Sequence, residues 1–151
     1  MLDAIDKQLL DLLQEDCKRT HKALSLHLHL SPTAVHERIK KLERAGFIAG
    51  YVALVNKHKV ARDFIVLCHV RLLQHSKSYL IGFQQEITAL EEVVECLHVS
   101  GEYDYILKVC VKDMAAYREF LVTKLTTLNH IGNTHSTYVI DEVKMTTALV
   151  V

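Results

Sequence analysis

Apolar residues return at helical spacing three times within the first forty-five positions. Ile5, Leu9, Leu12 and Leu13 form one stripe behind Asp3, whose carboxylate suits the cap of a helix running to about Glu15. Thr20 is the next candidate cap and opens a short helix through about His27, with Ala23, Leu24 and Leu28 turned inward. Leu30-Ser31-Pro32-Thr33 then offers a capping hydroxyl followed by proline at the first helical position. This third helix runs to Ala45 and stops at Gly46, where a left-handed residue ends a helix well. Val35, Ile39 and Leu42 share its inner arc. Two helices joined by a tight turn, the second one basic on its outer side, make a helix-turn-helix.

From Phe47 the period changes. Phe47 to Leu54 reads as a short strand and linker, and Phe64 to Leu72 as a β-branched strand. Lys77 to Leu90 carries Leu80, Phe83 and Ile87 at helical spacing. Val93–Val99 and Tyr105–Val111 are strands around the connection Ser100-Gly101-Glu102-Tyr103-Asp104. Asp113 caps a helix bearing Ala116, Tyr117, Phe120, Leu121 and Leu125, and Ser136–Val143 is expected as the last strand. The fold class is therefore α+β: an N-terminal winged-type helix-turn-helix followed by a βαββαβ ferredoxin-like domain. The expected boundaries are 1–50, a linker strand at 51–62, and 63–151. Two helices cover only one sheet face, and the strands mix Val, Ile and Leu with His69, His98, Lys108 and Cys110 on the other. A half-apolar open face of that kind is expected to be buried against a second copy, giving a homodimer.

Composition narrows the class. The chain is 50% hydrophobic with a single proline, so it is neither disordered nor low in complexity. No apolar run reaches membrane-spanning length, and Met1-Leu2-Asp3-Ala4-Ile5-Asp6 lacks the basic start of a secretory signal; a cytoplasmic protein is expected. Net charge is zero overall, yet residues 1–60 carry ten Lys/Arg against seven Asp/Glu, and the remainder carries eight against eleven. Between Cys17 and Arg44 the balance is seven to two. The four cysteines show no CxxC spacing and read as reduced, buried small hydrophobes. Among the ten histidines, His27 and His29 diverge on a helix, so no metal set is expected from spacing.

The basic bias concentrates on the third helix. Thr33, Glu37, Lys40 and Arg44 lie opposite the Val35-Ile39-Leu42 stripe, with Lys41 beside them, and Ser31, His36 and Arg38 complete the candidate set for double-stranded DNA. The same pattern also describes an ordinary amphipathic helix with a solvated basic face.

Longer stretches carry a likeness that periodicity does not. Leu2-Asp3-Ala4-Ile5-Asp6 with Leu9-Leu10, Leu30-Ser31-Pro32-Thr33-Ala34-Val35 with Arg38-Ile39 and Leu42-Glu43, Ala45-Gly46-Phe47-Ile48-Ala49-Gly50-Tyr51, and Ser100 to Val109 follow in order at the right spacing. Over essentially its whole length the chain resembles the Lrp/AsnC (feast/famine) family of transcription regulators. The resemblance implies a sequence-specific, nucleoid-associated DNA-binding regulator that answers to a free amino acid. It also implies a homodimer assembling further, commonly to an octamer. It places the effector near Ser100, Gly101, Tyr103 and Asp104, with Thr134 and Ser136 adding hydroxyls, and implies no cofactor and no catalysis. Alternatives of the same fold are a metal- or redox-responsive regulator and a sirohaem-decarboxylase-like enzyme. The enzyme would need cations for many carboxylates, which the acidic C-terminal half does not supply. Three positions depart from the family pattern: His29 stands where glycine is usual in the turn, Ser25 replaces a common alanine, and Ala61 a common glycine.

Overall fold

The computed structural model describes residues 1–151, which divide into two compact units, 1–54 with 143–151, and 55–142. The first unit holds α1 (Ala4–Glu15), α2 (His21–Leu28) and α3 (Pro32–Arg44). Each start is fixed locally. The Asp3 carboxylate accepts from the Asp6 backbone N–H while Asp6 reaches back to Asp3, a reciprocal box; Thr20 and Ser31 accept from Ala23 and Ala34. Leu9, Leu24, Val35 and Leu42 are fully enclosed where the three helices meet. Gly46 ends α3 at φ +75°. His29 closes α2 in the left-handed region (φ 52°, ψ 41°), the conformation its position in the turn demands.

The second unit is a four-stranded antiparallel sheet in the order β2 (Val93–His98), β3 (Tyr105–Val111), β1 (Phe64–Leu72), β4 (Ile131–Tyr138). The helices α4 (Lys77–Thr88) and α5 (Met114–Thr123) lie in the two crossovers, giving the expected βαββαβ chain order. Val66, Cys68, Val70 and Leu72 on β1 and Tyr105, Leu107, Val109 and Val111 on β3 point to the helix-covered side, against Phe83, Ile87, Tyr117 and Phe120. Their alternates, among them Leu67, His69, Ile106, Lys108 and Cys110, form the other face and are only half-buried.

Four expectations need correction. Residues 47–62 contain no strand, so the winged-type addition and the linker strand are absent as ladders; within one chain this extended, partly apolar stretch has no strand to pair with. The last strand is Ile131–Tyr138, not Ser136–Val143. An edge strand buries little, and His, Asn and Thr suit it, whereas the apolar run at Tyr138-Val139-Ile140 leaves the ladder, with Tyr138 opposite Val66 and the Val139 N–H donating to the Ile65 carbonyl as the last contacts with β1. Residues 143–151 belong to the first unit and not to the sheet domain: the Gln14 side-chain amide donates to the Leu149 carbonyl at 2.9 Å and accepts from its N–H at 2.7 Å. Cys17 is exposed, while Cys68 is buried and Cys96 and Cys110 half-buried; burial pushes these last three thiols up.

Candidate nucleic-acid interface and effector loop

Helix α3 turns Val35, Ile39 and Leu42 into the core, which fixes the rest of its surface by the 3.6-residue period. Ser31, Thr33, Glu37, Lys40, Lys41 and Arg44 are exposed, and His36 and Arg38 are half-buried. Two of the basic candidates are engaged elsewhere. Asp6 is fully enclosed, and its carboxylate accepts from Arg38 at 2.6 Å and from Lys41 at 2.9 Å; Arg38 also reaches Asp3 at 2.7 Å. Burial opposes the charge on Asp6, but the hydrogen bonds from Lys41 and Arg38 outweigh it and hold the carboxyl below its usual value. The bonds to Asp3 and Asp6 raise Arg38 in turn. Arg38 and Lys41 thus lock α1 to α3.

His36 turns toward His21, with ring centroids 5.1 Å apart, and away from the exposed arc. Ser31 Oγ accepts the capping bond at 3.1 Å, which leaves its O–H as a donor at the tip of the helix. Lys40 makes an i,i+3 pair with Glu43 at 3.0 Å, which is solvent-exposed and easily exchanged for a phosphate. Thr33, Glu37, Lys40 and Arg44 remain as a continuous outward face, with Ser31 at its N-terminal end.

At the far end of the sheet, Ser100-Gly101-Glu102-Tyr103-Asp104 joins β2 to β3. Gly101 has φ +119°, a conformation L side chains rarely adopt, and a Cβ there would meet open space. Asp104 is not an idle acceptor. Its carboxylate takes the Leu72 N–H at 2.8 Å and faces His75 Nε2 at 2.8 Å, with its side chain 17% exposed. Burial works against its charge, yet the bonds from Leu72 and His75 hold the carboxyl below its ordinary value. Asp104 therefore positions the loop against the end of β1. Tyr103 lies beside His69, and the Arg71 guanidinium sits 5.7 Å from its ring centroid while donating to the Glu102 carbonyl.

The β1–β4 register sets Ser136 opposite Cys68 and Thr134 opposite Val70, on the helix-covered side. Ser136 Oγ shares a hydrogen bond with the Tyr117 hydroxyl, and burial raises Tyr117 far above the usual phenol range. Ser100, Gly101 and Tyr103 thus stand together in the loop, Thr134 is half-buried nearby on the strand order, and Ser136 is committed to Tyr117. The partners His75 and Tyr117 carry no motif that marks them, and Asp3 and Asp6, although they stand in a family stretch, give no sign of their partner on α3. Each acts through a contact across 19 to 35 positions of sequence.

Comparison with known proteins divides the chain at the same linker, although the match to its second domain runs on into the tail that packs with the first unit. The AsnC-type helix-turn-helix domain matches residues 2–43 and the Lrp/AsnC ligand binding domain matches residues 65–149. The leucine-responsive regulatory protein of Escherichia coli K12 is 39% identical over 150 residues, covering 99% of this chain and 92% of the relative. A transcriptional regulator of Neisseria meningitidis, solved as a complex with L-Met, superposes with a TM-score of 0.94 at 31% identity, over 99% of this chain and 96% of that one. An AsnC family transcriptional regulator of Agrobacterium tumefaciens gives 0.93 at 34% identity, over 98% and 96%. The chain belongs to the Lrp/AsnC family of transcription regulators, proteins that join a DNA-binding helix-turn-helix to a ligand-binding domain. These relatives are regulators and not enzymes.

Proposed function

We propose that this protein reads double-stranded DNA with the Ser31, Thr33, Glu37, Lys40 and Arg44 face of α3 and answers to a free amino acid held at the Ser100–Asp104 loop. The outward arc of α3 carries the first half of this reading. It is the one surface of the helix-turn-helix that combines a basic charge, exposed hydrogen-bonding side chains near a helix start, and no tie to the core. Thr33 and Glu37 are placed for base edges and Lys40 and Arg44 for phosphates. The Arg38–Asp6–Lys41 cluster holds α3 at a fixed angle to α1 and leaves both cations a supporting role.

The second half rests on the loop. An amino acid brings a carboxylate that wants N–H donors and an ammonium that wants acceptors. Backbone around Gly101 offers the donors, Tyr103 closes one side, and Thr134 offers a hydroxyl; Asp104 shapes the loop and contributes field more than a direct contact. The leucine-responsive relatives and the L-Met complex support an amino acid as the ligand class. The half-apolar open sheet face supports a homodimer, and the family likeness extends this to an octameric ring of dimers. The site of action is the nucleoid, in the cytoplasm.

Fluorescence anisotropy on duplex DNA at several salt concentrations tests the DNA face. Lys40→Ala and Arg44→Ala are expected to weaken binding to all sequences and to flatten the log–log salt slope by about one unit for each phosphate no longer neutralised. Thr33→Ala and Glu37→Ala are expected to alter sequence preference instead. Unchanged affinity and slope in both Lys40→Ala and Arg44→Ala would show that another surface meets the DNA.

A further inference from the structure

Two imidazoles meet beside the outward face of α3. His21 opens α2 and His36 lies in the second turn of α3, with ring centroids 5.1 Å apart. The helical period sets His36 about 40° around α3 from Lys40, between the outward arc and the buried Ile39. His21 is exposed and His36 half-buried, and neither ring is hydrogen-bonded within the chain. Both border a cleft of about 280 Å³ in the first unit.

The fixed charges of this cleft cancel. Cys17 and Arg19 face it from the α1–α2 connection, Lys40 and Glu43 from α3, and Tyr51 from the segment that follows. The Glu43 carboxylate is met by Lys40 at 3.0 Å and by the Tyr51 hydroxyl at 3.1 Å, and Arg19 is paired with Glu15 at 2.7 Å. The two imidazoles therefore decide the charge: balanced while both are neutral, doubly positive when both carry a proton. Two protonated rings this close repel each other, and an anion between them offsets the repulsion. Charge-assisted N–H···O bonds run to ~2.7–2.9 Å, so rings 5.1 Å apart can both donate to one phosphate group. When the second helix of a helix-turn-helix lies in the major groove, the first crosses the DNA backbone, which brings phosphates to the start of α2.

We propose that His21 and His36 form a seat for one DNA backbone phosphate that is filled when the imidazoles are protonated, so that DNA is bound more tightly as pH falls. The inference rests on α3 being the DNA reader, and it adds a contact from α2 that Lys40 and Arg44 do not supply. The sign follows from linkage: a phosphate in the seat raises the affinity of the pair for protons, so protons raise the affinity for DNA by the same factor.

Fluorescence anisotropy of the full-length protein on one duplex, in phosphate-free buffer at constant ionic strength, compares pH 6 with pH 8. Wild type is expected to bind at least fivefold more tightly at pH 6, with a log–log salt slope steeper by about one unit for the extra phosphate neutralised. His21→Gln and His36→Gln are each expected to keep less than half of that affinity ratio. His27 bonds the Ala23 carbonyl of its own helix at 2.9 Å, and His27→Gln is expected to keep the full ratio. Equal wild-type affinity at the two pH values, or the wild-type ratio retained in either His21→Gln or His36→Gln, overturns the seat while Lys40→Ala and Arg44→Ala still weaken binding at pH 8. Unchanged affinity in Lys40→Ala and Arg44→Ala overturns the reading of α3 itself, and the seat with it.

Discussion

Asp6 shows how a single residue joins stability to function. A carboxylate with no solvent exposure costs free energy unless its charge is matched, and here Arg38 and Lys41 match it from another helix. Arg38→Ala is expected to destabilise the first unit by about 2 kcal/mol. That is less than the ~3–5 kcal/mol of a wholly enclosed pair, because Lys41 remains and Arg38 itself is partly open to water. The sign of the pH dependence follows from the lowered carboxyl of Asp6. Its contribution is complete above the ordinary carboxylate value of about 3.9 and disappears as pH falls through the lower folded-state value. Urea denaturation of wild type and Arg38→Ala from pH 3 to pH 7 checks both statements, with the difference between them shrinking at the acid end. Asp104 behaves alike in the second unit. Asp104→Ala leaves the Leu72 N–H unpaired in a half-buried setting and is expected to cost about 1–3 kcal/mol in the same measurement. The sequence marks all three residues as polar positions in family motifs. Their partners are invisible in it, because pairing across 29 to 35 positions is a property of the packed fold.

The elements divide by how local their causes are. Each of the first three helices begins on a capping side chain, and α2 and α3 end on a left-handed residue at His29 and Gly46, so these bounds follow from neighbouring positions alone. β4 is different: its residues between Ile131 and Tyr138 are glycine and polar side chains, the apolar run only begins at its last residue, and the pairing with β1 makes it a strand. The stretch 47–62 shows the converse, with strand-forming residues but no neighbouring strand in the chain. His29 is a legible exception to the local rules. A non-glycine residue in the left-handed region costs roughly 1–2 kcal/mol, part of which glycine returns through its greater freedom when unfolded. His29→Gly is therefore expected to raise stability by about 0.5–1 kcal/mol in a urea titration without changing DNA affinity. A loss of stability would show that the His29 side chain holds more than its backbone costs.

Across the whole molecule the charge asymmetry of the sequence matches the two family domains, a helix-turn-helix with a basic outward face in the first unit and a ligand-binding domain in the second. The proposed reading puts the effector at the Ser100–Asp104 loop of the second. Thermodynamic linkage requires that a ligand which alters DNA affinity by some factor is itself bound more or less tightly to the same factor when DNA is present. The tail is the part least apparent in the sequence, since nothing in Val143–Val151 signals that it packs with the first unit through Gln14. The most direct measurement takes the amino acid that most raises the melting temperature in a screen of the twenty, where stabilisation follows ligand occupancy of the folded state. DNA affinity is then measured with and without it for wild type and Gly101→Leu. A leucine at φ +119° strains the Ser100–Asp104 loop, while its Cβ meets open space and no core residue. The account predicts that the amino acid changes wild-type DNA affinity severalfold, while Gly101→Leu binds DNA as wild type does and ignores the ligand. An equal response in Gly101→Leu would contradict it.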